Sequence, residues 1–384
     1  MPVKLSRRSA VEPFRAMDVM SSAFALERAG RSIIHMEVGE PGAPTPRAVR
    51  EAAEAALRNG RIAYTEALGQ PALRARIARH YGEAYGIDLA PERIVVTTGS
   101  SGGFNLAFLA LFDVGDRIGL PTPGYPAYRN ILKALGLEVV EIPTTVESRW
   151  AITPQMLQEA ETGGKLKGLI VASPNNPTGT MMRPEDLKAL VDACEAGDIR
   201  LIMDEIYHGL VYDFPTATAL QFSDDVIVVN SFSKYYCMTG WRIGWMVVPA
   251  EISRAFECLA QNLSISVNSL SQRAAIAAFD AKEELEEVKA GYAANRALLL
   301  EGLPKVGLDD LLPVDGAFYV YANVRRFTND SMDFAQRMLN EAGVAATPGI
   351  DFDTARGEAY LRFSFAGTTA DMAEAVERIG RWLK

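Results

Sequence analysis

Five short apolar runs in this sequence each end in a cluster of residues that strands disfavour, and segments of helical character alternate with them. Arg93-Ile94-Val95-Val96-Thr97 leads into Gly99-Ser100-Ser101-Gly102-Gly103, and Arg117 to Leu120 leads into Pro121 to Tyr128. Gly168 to Ala172 precedes Ser173-Pro174-Asn175-Asn176-Pro177-Thr178-Gly179, and Arg200 to Met203 precedes Asp204-Glu205-Ile206-Tyr207. Val226 to Val229 runs into Ser231-Phe232-Ser233-Lys234. Strands that read as unbroken apolar runs belong to parallel sheets covered on both faces, and crossover helices do the covering. Pro46 to Asn59, Pro71 to Tyr85 and Pro184 to Ala196 have the required amphipathic spacing. Val139-Val140 and Gly244 to Val248 are further strand candidates. The pattern predicts an α/β fold with a mostly parallel sheet sandwiched by helices, its polar clusters gathered at one edge. Open sheets of this kind bind ligands at that edge.

The texture changes after about Ser269. A long helical stretch with a charged opening at Lys282 to Lys289 runs to about Gly302, followed by strands at Phe318 to Val324 and Tyr360 to Phe365 with helices around them. This reads as a smaller α+β domain beside the large one, and 384 residues suffice for two domains.

Composition narrows the partners. With 39 Lys+Arg against 48 Asp+Glu the net charge is −9, which argues against nucleic acid or an acidic membrane surface but leaves room for a local anion pocket. Three cysteines, Cys194, Cys237 and Cys258, have no metal-ligand spacing and suit a reduced, cytoplasmic protein. Three histidines leave too few ligands for a multi-histidine centre, so no metal is expected. The uncharged run from Ile94 to Phe112 is interrupted by Gly99, Gly102, Gly103 and Asn105, so no membrane span is expected.

Each cluster has a chemical reading beside a plain one. Strand, Gly99 to Gly103, then a helix from Phe104 to Phe112 is a phosphate-cradle geometry, because a helix start offers free N–H groups to an anion. The same five residues match G-x-S-x-G, a nucleophile elbow with Ser101 as the attacking group, and a simple turn explains them too. Elbow hydrolases place a histidine late in the chain, whereas the last one here is His208. Ser231, Ser233 and Lys234, with Arg242 eight residues on between Gly240 and Gly244, form a second candidate phosphate clamp. Asp204 at a strand exit needs a cationic partner or caps a following helix. In Tyr360 to Phe365 the apolar residues 361, 363 and 365 share one face and leave Arg362 on the other.

Ser173 to Gly179 (SPNNPTG), Asp204 to Tyr207 and the S-x-S-K-x-x-x-M-T-G-W-R run from Ser231 to Arg242 resemble the signature segments of the class I/II pyridoxal-phosphate aminotransferases of fold type I. The likeness extends from Val38-Gly39-Glu40-Pro41 through Tyr64 and Gly69 to Arg362. It implies a large cofactor domain over residues 45–278 and a small domain from 1–44 and 279–384. It also implies pyridoxal 5'-phosphate as cofactor, a homodimer with shared sites, and a place in amino acid metabolism.

By the same resemblance Lys234 forms the internal aldimine and moves the substrate's α-proton, while Asp204 pairs with the pyridine nitrogen. Tyr207 and Asn176 bond the phenolic oxygen, and Tyr125 stacks on the ring. Ser100, Ser101, Gly102, Ser231, Ser233 and Arg242 hold the phosphate, with Tyr64 reaching it from the other subunit. Arg362 clamps the substrate carboxylate, with Asn176 and Gly39 nearby. The cradle departs from many relatives, which carry a bulkier polar residue or alanine where Gly102 and Gly103 stand. The expected activity is transfer of an amino group between an L-amino acid and a 2-oxo acid by a ping-pong mechanism. A lyase or other α-carbon chemistry on the same fold is the alternative, and a serine hydrolase using Ser101 the distant one. The amino donor and acceptor are open.

Overall fold

The computed structural model of the chain describes residues 3–384. Seven strands form the central sheet: β1 (Ile94–Thr97), β2 (Arg117–Thr122), β3 (Glu138–Pro143), β4 (Gly168–Ala172), β5 (Arg200–Asp204), β6 (Ile227–Ser231) and β7 (Gly244–Val247). Their order across the sheet is β1-β7-β6-β5-β4-β2-β3. Strands β2 through β6 are parallel, whereas β7 pairs antiparallel with both β1 and β6.

That single reversal matters for the site. β1, β2, β4, β5 and β6 finish at one edge of the sheet, and β7 begins there, with Gly244 opposite Thr97 on one side and Ser231 on the other. Residues just before Gly244 therefore lie at the same edge as the residues that follow five other strands.

Alternate strand residues feed two cores, as a pleat buried on both faces requires. Val96, Leu169, Val171, Leu201 and Met203 join the helices Pro71–Tyr85, Pro184–Ala196 and Ser269–Ala278 on one face. Val95, Ile170 and Ile202 join the helices Gly99–Leu111, Pro126–Leu135 and Ser253–Leu263 on the other. Helix ends follow local chemistry: Pro71 and Pro184 open their helices, and the Asn268 side chain accepts from Ser271 N to cap Ser269–Ala278.

The C-terminal part builds a three-stranded antiparallel sheet from β8 (Tyr319–Asn323), β9 (Thr347–Pro348) and β10 (Tyr360–Ser364), with β10 in the middle. Ile34–His35 lies parallel to Val344–Ala345 beside it, and the helices Lys282–Lys305 and Thr369–Trp382 bury its apolar residues. Leu285 near the start of the long helix still packs in the core of the large sheet.

One expected element differs. Gly99 to Gly103 is the first turn of the helix Gly99–Leu111, rather than a loop before a helix at Phe104. Low helix propensity is overridden by packing: a side chain at Gly103 would meet Met246 at 3.1 Å, so small residues let the helix lie close on the sheet. Asp204 likewise caps no helix, since residues 205–209 form a turn. Among the described residues no helix is long and apolar enough to cross a membrane.

Candidate active site

The strand-exit residues converge as the topology requires. Lys234 follows β6 and is half-buried, its Nζ donating to the carbonyl of Gly39 at 2.5 Å. Burial, reinforced by the charge of Arg362, lowers its pKa to about 8. A lysine held there reaches its neutral form far more readily than an exposed one.

Asp204 ends β5 and is buried. Its Oδ1 accepts from the Ile206 N–H at 3.0 Å, and its Oδ2 accepts from the Tyr128 hydroxyl. Burial raises its pKa to about 6, opposed by those hydrogen bonds and by Lys234. Among the described residues no cationic side chain forms an ion pair with it. Tyr207, three residues on, shares a 2.7 Å hydrogen bond with the Tyr319 hydroxyl, and burial keeps it a neutral phenol.

Next to these lies a cradle at the start of the helix Gly99–Leu111. Its first N–H groups lack intrahelical acceptors, and Ser100, Ser101 and Gly102 stand in that first turn. Ser231 and Ser233 are 2.8 Å apart through their hydroxyls, and Ser231 Oγ donates to the Ile243 carbonyl at 3.0 Å. Arg242 arrives from the start of β7 with φ +51, a left-handed backbone that is strained for arginine. Gly99, at φ +66, makes the approach possible, because a Cβ there would lie 2.7 Å from Arg242 Nη2. Two hydroxyls, a guanidinium and a helix start together could hold an anion.

Arg362 closes the other side. It lies in the central strand β10 and is 2% exposed, not solvent-facing as strand alternation alone allowed. Nη1 donates to Asn176 Oδ1 at 2.9 Å, while Nη2 donates to the Glu37 carbonyl and to Thr347 Oγ1 at 3.0 Å. The guanidinium stacks over Tyr319 and Phe352, with centroids at 4.5 and 4.9 Å. Its Nε has no partner, and no carboxylate among the described residues pairs with it. A buried cation without an anion is costly unless a ligand supplies one.

Tyr125 leads into the helix Pro126–Leu135 with its ring edge against Phe14 at 5.8 Å. Tyr64 stands apart, 80% exposed on the surface of this chain. Ser101 is exposed at the helix start with no histidine beside it: His208 bonds Tyr85 and the Ser173 carbonyl, and His35 bonds Glu37. The elbow reading has no base to serve it.

Four further contributors went unnoticed in the sequence: Tyr128 on Asp204, Tyr319 on Tyr207 and Arg362, and Glu37 and Thr347 on Arg362. Tyr128 lay inside a flagged cluster, three residues after Tyr125 at helical spacing. Tyr319 and Thr347 carry no local signal, since their roles come from strand pairing.

The family model for aminotransferase class I and II matches residues 31–379. The chain is 51% identical to the valine–pyruvate aminotransferase of Mycobacterium tuberculosis, covering 100% of this chain and 99% of that one. It is 34% identical to the aspartate/prephenate aminotransferase of Thermus thermophilus, over 99% of this chain and 98% of that one. A crystal structure of an aminotransferase from Mycobacterium tuberculosis superposes with a TM-score of 0.97 at 51% identity, covering 99% of each chain.

Proposed function

The chain belongs to the class I and II aminotransferases, and on that premise we propose that its strand edge takes pyridoxal 5'-phosphate and passes an amino group from an L-amino acid to a 2-oxo acid by a ping-pong mechanism. One observation carries the cofactor assignment. Asp204 and Arg362 are both buried at this edge, and neither has an oppositely charged partner among the described residues. A lone buried charge costs several kcal/mol unless a ligand compensates it. A pyridine nitrogen answers Asp204, a phosphate answers the cradle of Ser100, Ser101, Gly102, Ser231, Ser233 and Arg242, and a substrate carboxylate answers Arg362.

When bound, the cofactor supplies an electron-withdrawing ring that acidifies the substrate's α-carbon. The chain does the rest. Arg362 orients the substrate through its carboxylate, with Asn176 fixing one Nη. Lys234 Nζ, neutral at modest cost, takes the α-proton and returns it. The Gly39 carbonyl holds that nitrogen in place beforehand. Asp204 contributes a fixed negative charge, and Tyr207 and Asn176 contribute hydrogen bonds from the ring's other side. Tyr125 covers a face of the ring and excludes water.

We read the active form as a homodimer in which Tyr64 reaches the phosphate of the partner's site. Tyr64 is exposed, and so are Leu57, Ile62, Leu263 and Ile265 on the segments around it. Thr65 N donates to Ser266 Oγ, tying the two loops together. An apolar patch of this kind marks an interface. We divide the chain into a large domain over 45–278 and a small domain from 1–44 and 279–384, with the two cores crossing that division: Ala281 and Leu285 pack in the large sheet's core, and Ile206, Tyr207 and Leu210 in the small sheet's. Three unpaired cysteines suit a cytoplasmic location.

The test is a half-reaction. Given an amino donor alone, the loaded enzyme should release about one equivalent of 2-oxo acid per site and stop, as a ping-pong transfer requires. Continued release of ammonia or an eliminated product would overturn transamination in favour of lyase chemistry. Valine with pyruvate is the first pair to assay, because the relative from Mycobacterium tuberculosis is named for it.

A further inference from the structure

The segment Ile34 to Gly39 presents alternate carbonyls to two cations. Glu37 O accepts from Arg362 Nη2, and Gly39 O accepts from Lys234 Nζ. Its backbone is anchored up to Met36, whose N–H donates to the Ala345 carbonyl and whose carbonyl accepts from Ser364 N. Among the described residues backbone pairing then lapses until Gly42, which donates to the Ala366 carbonyl. The peptide that touches Arg362 thus lies in a stretch without ladder support.

The side chains supply what the backbone does not. The Glu37 carboxylate is fully buried, and its Oε1 lies 2.8 Å from His35 Nδ1. The other imidazole nitrogen lies 3.2 Å from Glu27 Oε1, on the helix Arg15–Arg28. Those two carboxylates are the charged groups facing the ring, whose face is covered by Phe24 at 5.1 Å. Between them His35 stays a cation up to about pH 9. The acceptor so fixed is shared: Thr347 Oγ1 donates to the same Glu37 carbonyl at 2.8 Å and receives Arg362 Nη2.

We propose that the pair formed by half-buried His35 and buried Glu37 is a positioning device for Arg362, locking the Glu37 peptide so that its carbonyl fixes the guanidinium's inner edge and aims the outer edge at the substrate carboxylate. The proposal rests on the reading of Arg362 as the carboxylate clamp. His35 and Glu37 touch neither substrate nor cofactor and act only through the arginine.

Steady-state kinetics of the cofactor-loaded enzyme tests it, with Glu37→Gln, His35→Gln, His35→Lys and Arg362→Lys beside the parent. Glu37→Gln and His35→Gln should each raise KM for both the amino donor and the 2-oxo acid about tenfold. That is the scale of loosening one hydrogen bond to a charged group. Their kcat should stay within about twofold, because the reacting atoms are untouched. His35→Lys restores a cation and should return both KM values to within about threefold of the parent. Thermal unfolding of each variant separates this split from a loss of folded protein. If Arg362→Lys raises KM while both glutamine variants leave it unchanged, the positioning role is overturned. It is overturned equally if the variants lower kcat alone, or if His35→Lys behaves like His35→Gln. If Arg362→Lys leaves KM unchanged, the clamp reading fails first and takes the positioning role with it.

Discussion

The hydroxyl of Tyr128 donates to Asp204 Oδ2 while the Ile206 N–H donates to Oδ1, so both oxygens of the buried carboxylate are held from the protein side. The carboxylate can then face a cationic ring nitrogen without rotating away from it.

Tyr128→Phe should therefore weaken the site at its floor. Burial drives the Asp204 pKa up to about 6, and the tyrosine hydrogen bond is the largest opposing influence. Its loss should cost about tenfold in pyridoxal 5'-phosphate affinity, in the range of one hydrogen bond to a charged group. Absorbance titration of the apoprotein reads this directly, and unchanged affinity would mean that Ile206 alone suffices.

Gly99→Ala should strike the cradle. The backbone is left-handed there, and the new methyl group would sit 2.7 Å from Arg242 Nη2. We expect a loss of at least about 1 kcal/mol in stability from the backbone. Displacement of Arg242 should also lower phosphate and cofactor affinity about tenfold. Urea unfolding and cofactor titration measure the two effects separately.

A shared site can be tested by mixing subunits. Lys234→Ala should reduce turnover by about a thousandfold or more through loss of the proton-transferring group, and Tyr64→Ala should weaken cofactor binding in the partner's site. Hybrid dimers of the two variants carry one site with both residues intact. Random exchange should then restore about a quarter of the parent activity. Mixtures no more active than the separate variants would rule out a contribution from Tyr64 across the interface.

His35 predicts a pH window for stability. Its folded pKa of about 9 lies above the ordinary 6.5, chiefly through Glu37, so the folded state holds the proton longer than the unfolded chain does. The contribution is complete below pH 6.5, declines as pH rises, and is gone above about pH 9. Melting temperatures of the parent should converge on those of His35→Gln across that interval. Parallel curves would show that His35 carries no such charge.

The sheet and its strand exits were legible because each signal is local. Unbroken apolar runs mark buried strands, and Pro, Asn, Gly and charged residues mark where they stop, so Asp204, Lys234 and the 173–179 segment could be found one at a time. Glu37, Tyr319 and Thr347 were not legible, because their roles depend on tertiary contact: Thr347 pairs with Arg362 across the sheet, Tyr319 pairs with Ser364 two residues on, and Glu37 comes from a segment outside any strand. Tyr321 and Thr347 both face Arg362 in register, and no spacing in the sequence encodes that. Strand alternation alone favoured a solvent-facing Arg362; the resemblance pointed inward, and the small domain's packing buries it. The Gly99 to Gly103 turn was misread for the opposite reason: its composition is poor for a helix, and tertiary contact decides.

The reversed strand β7 has one more effect. Among the described residues β1, at the border of the sheet, has β7 as its one strand partner, with the Val96 N–H donating outward to the Leu68 carbonyl, and β7 is paired in turn to β6. An anion lodged at their common end would touch groups from all three: the helix start after β1, Arg242 before β7, and the serines that close β6. Such a ligand works as a clasp on the border of the sheet. Emptying the site should let β1 fray before the interior does, with faster amide exchange at Val95 and Val96 than at Ile202 and Met203.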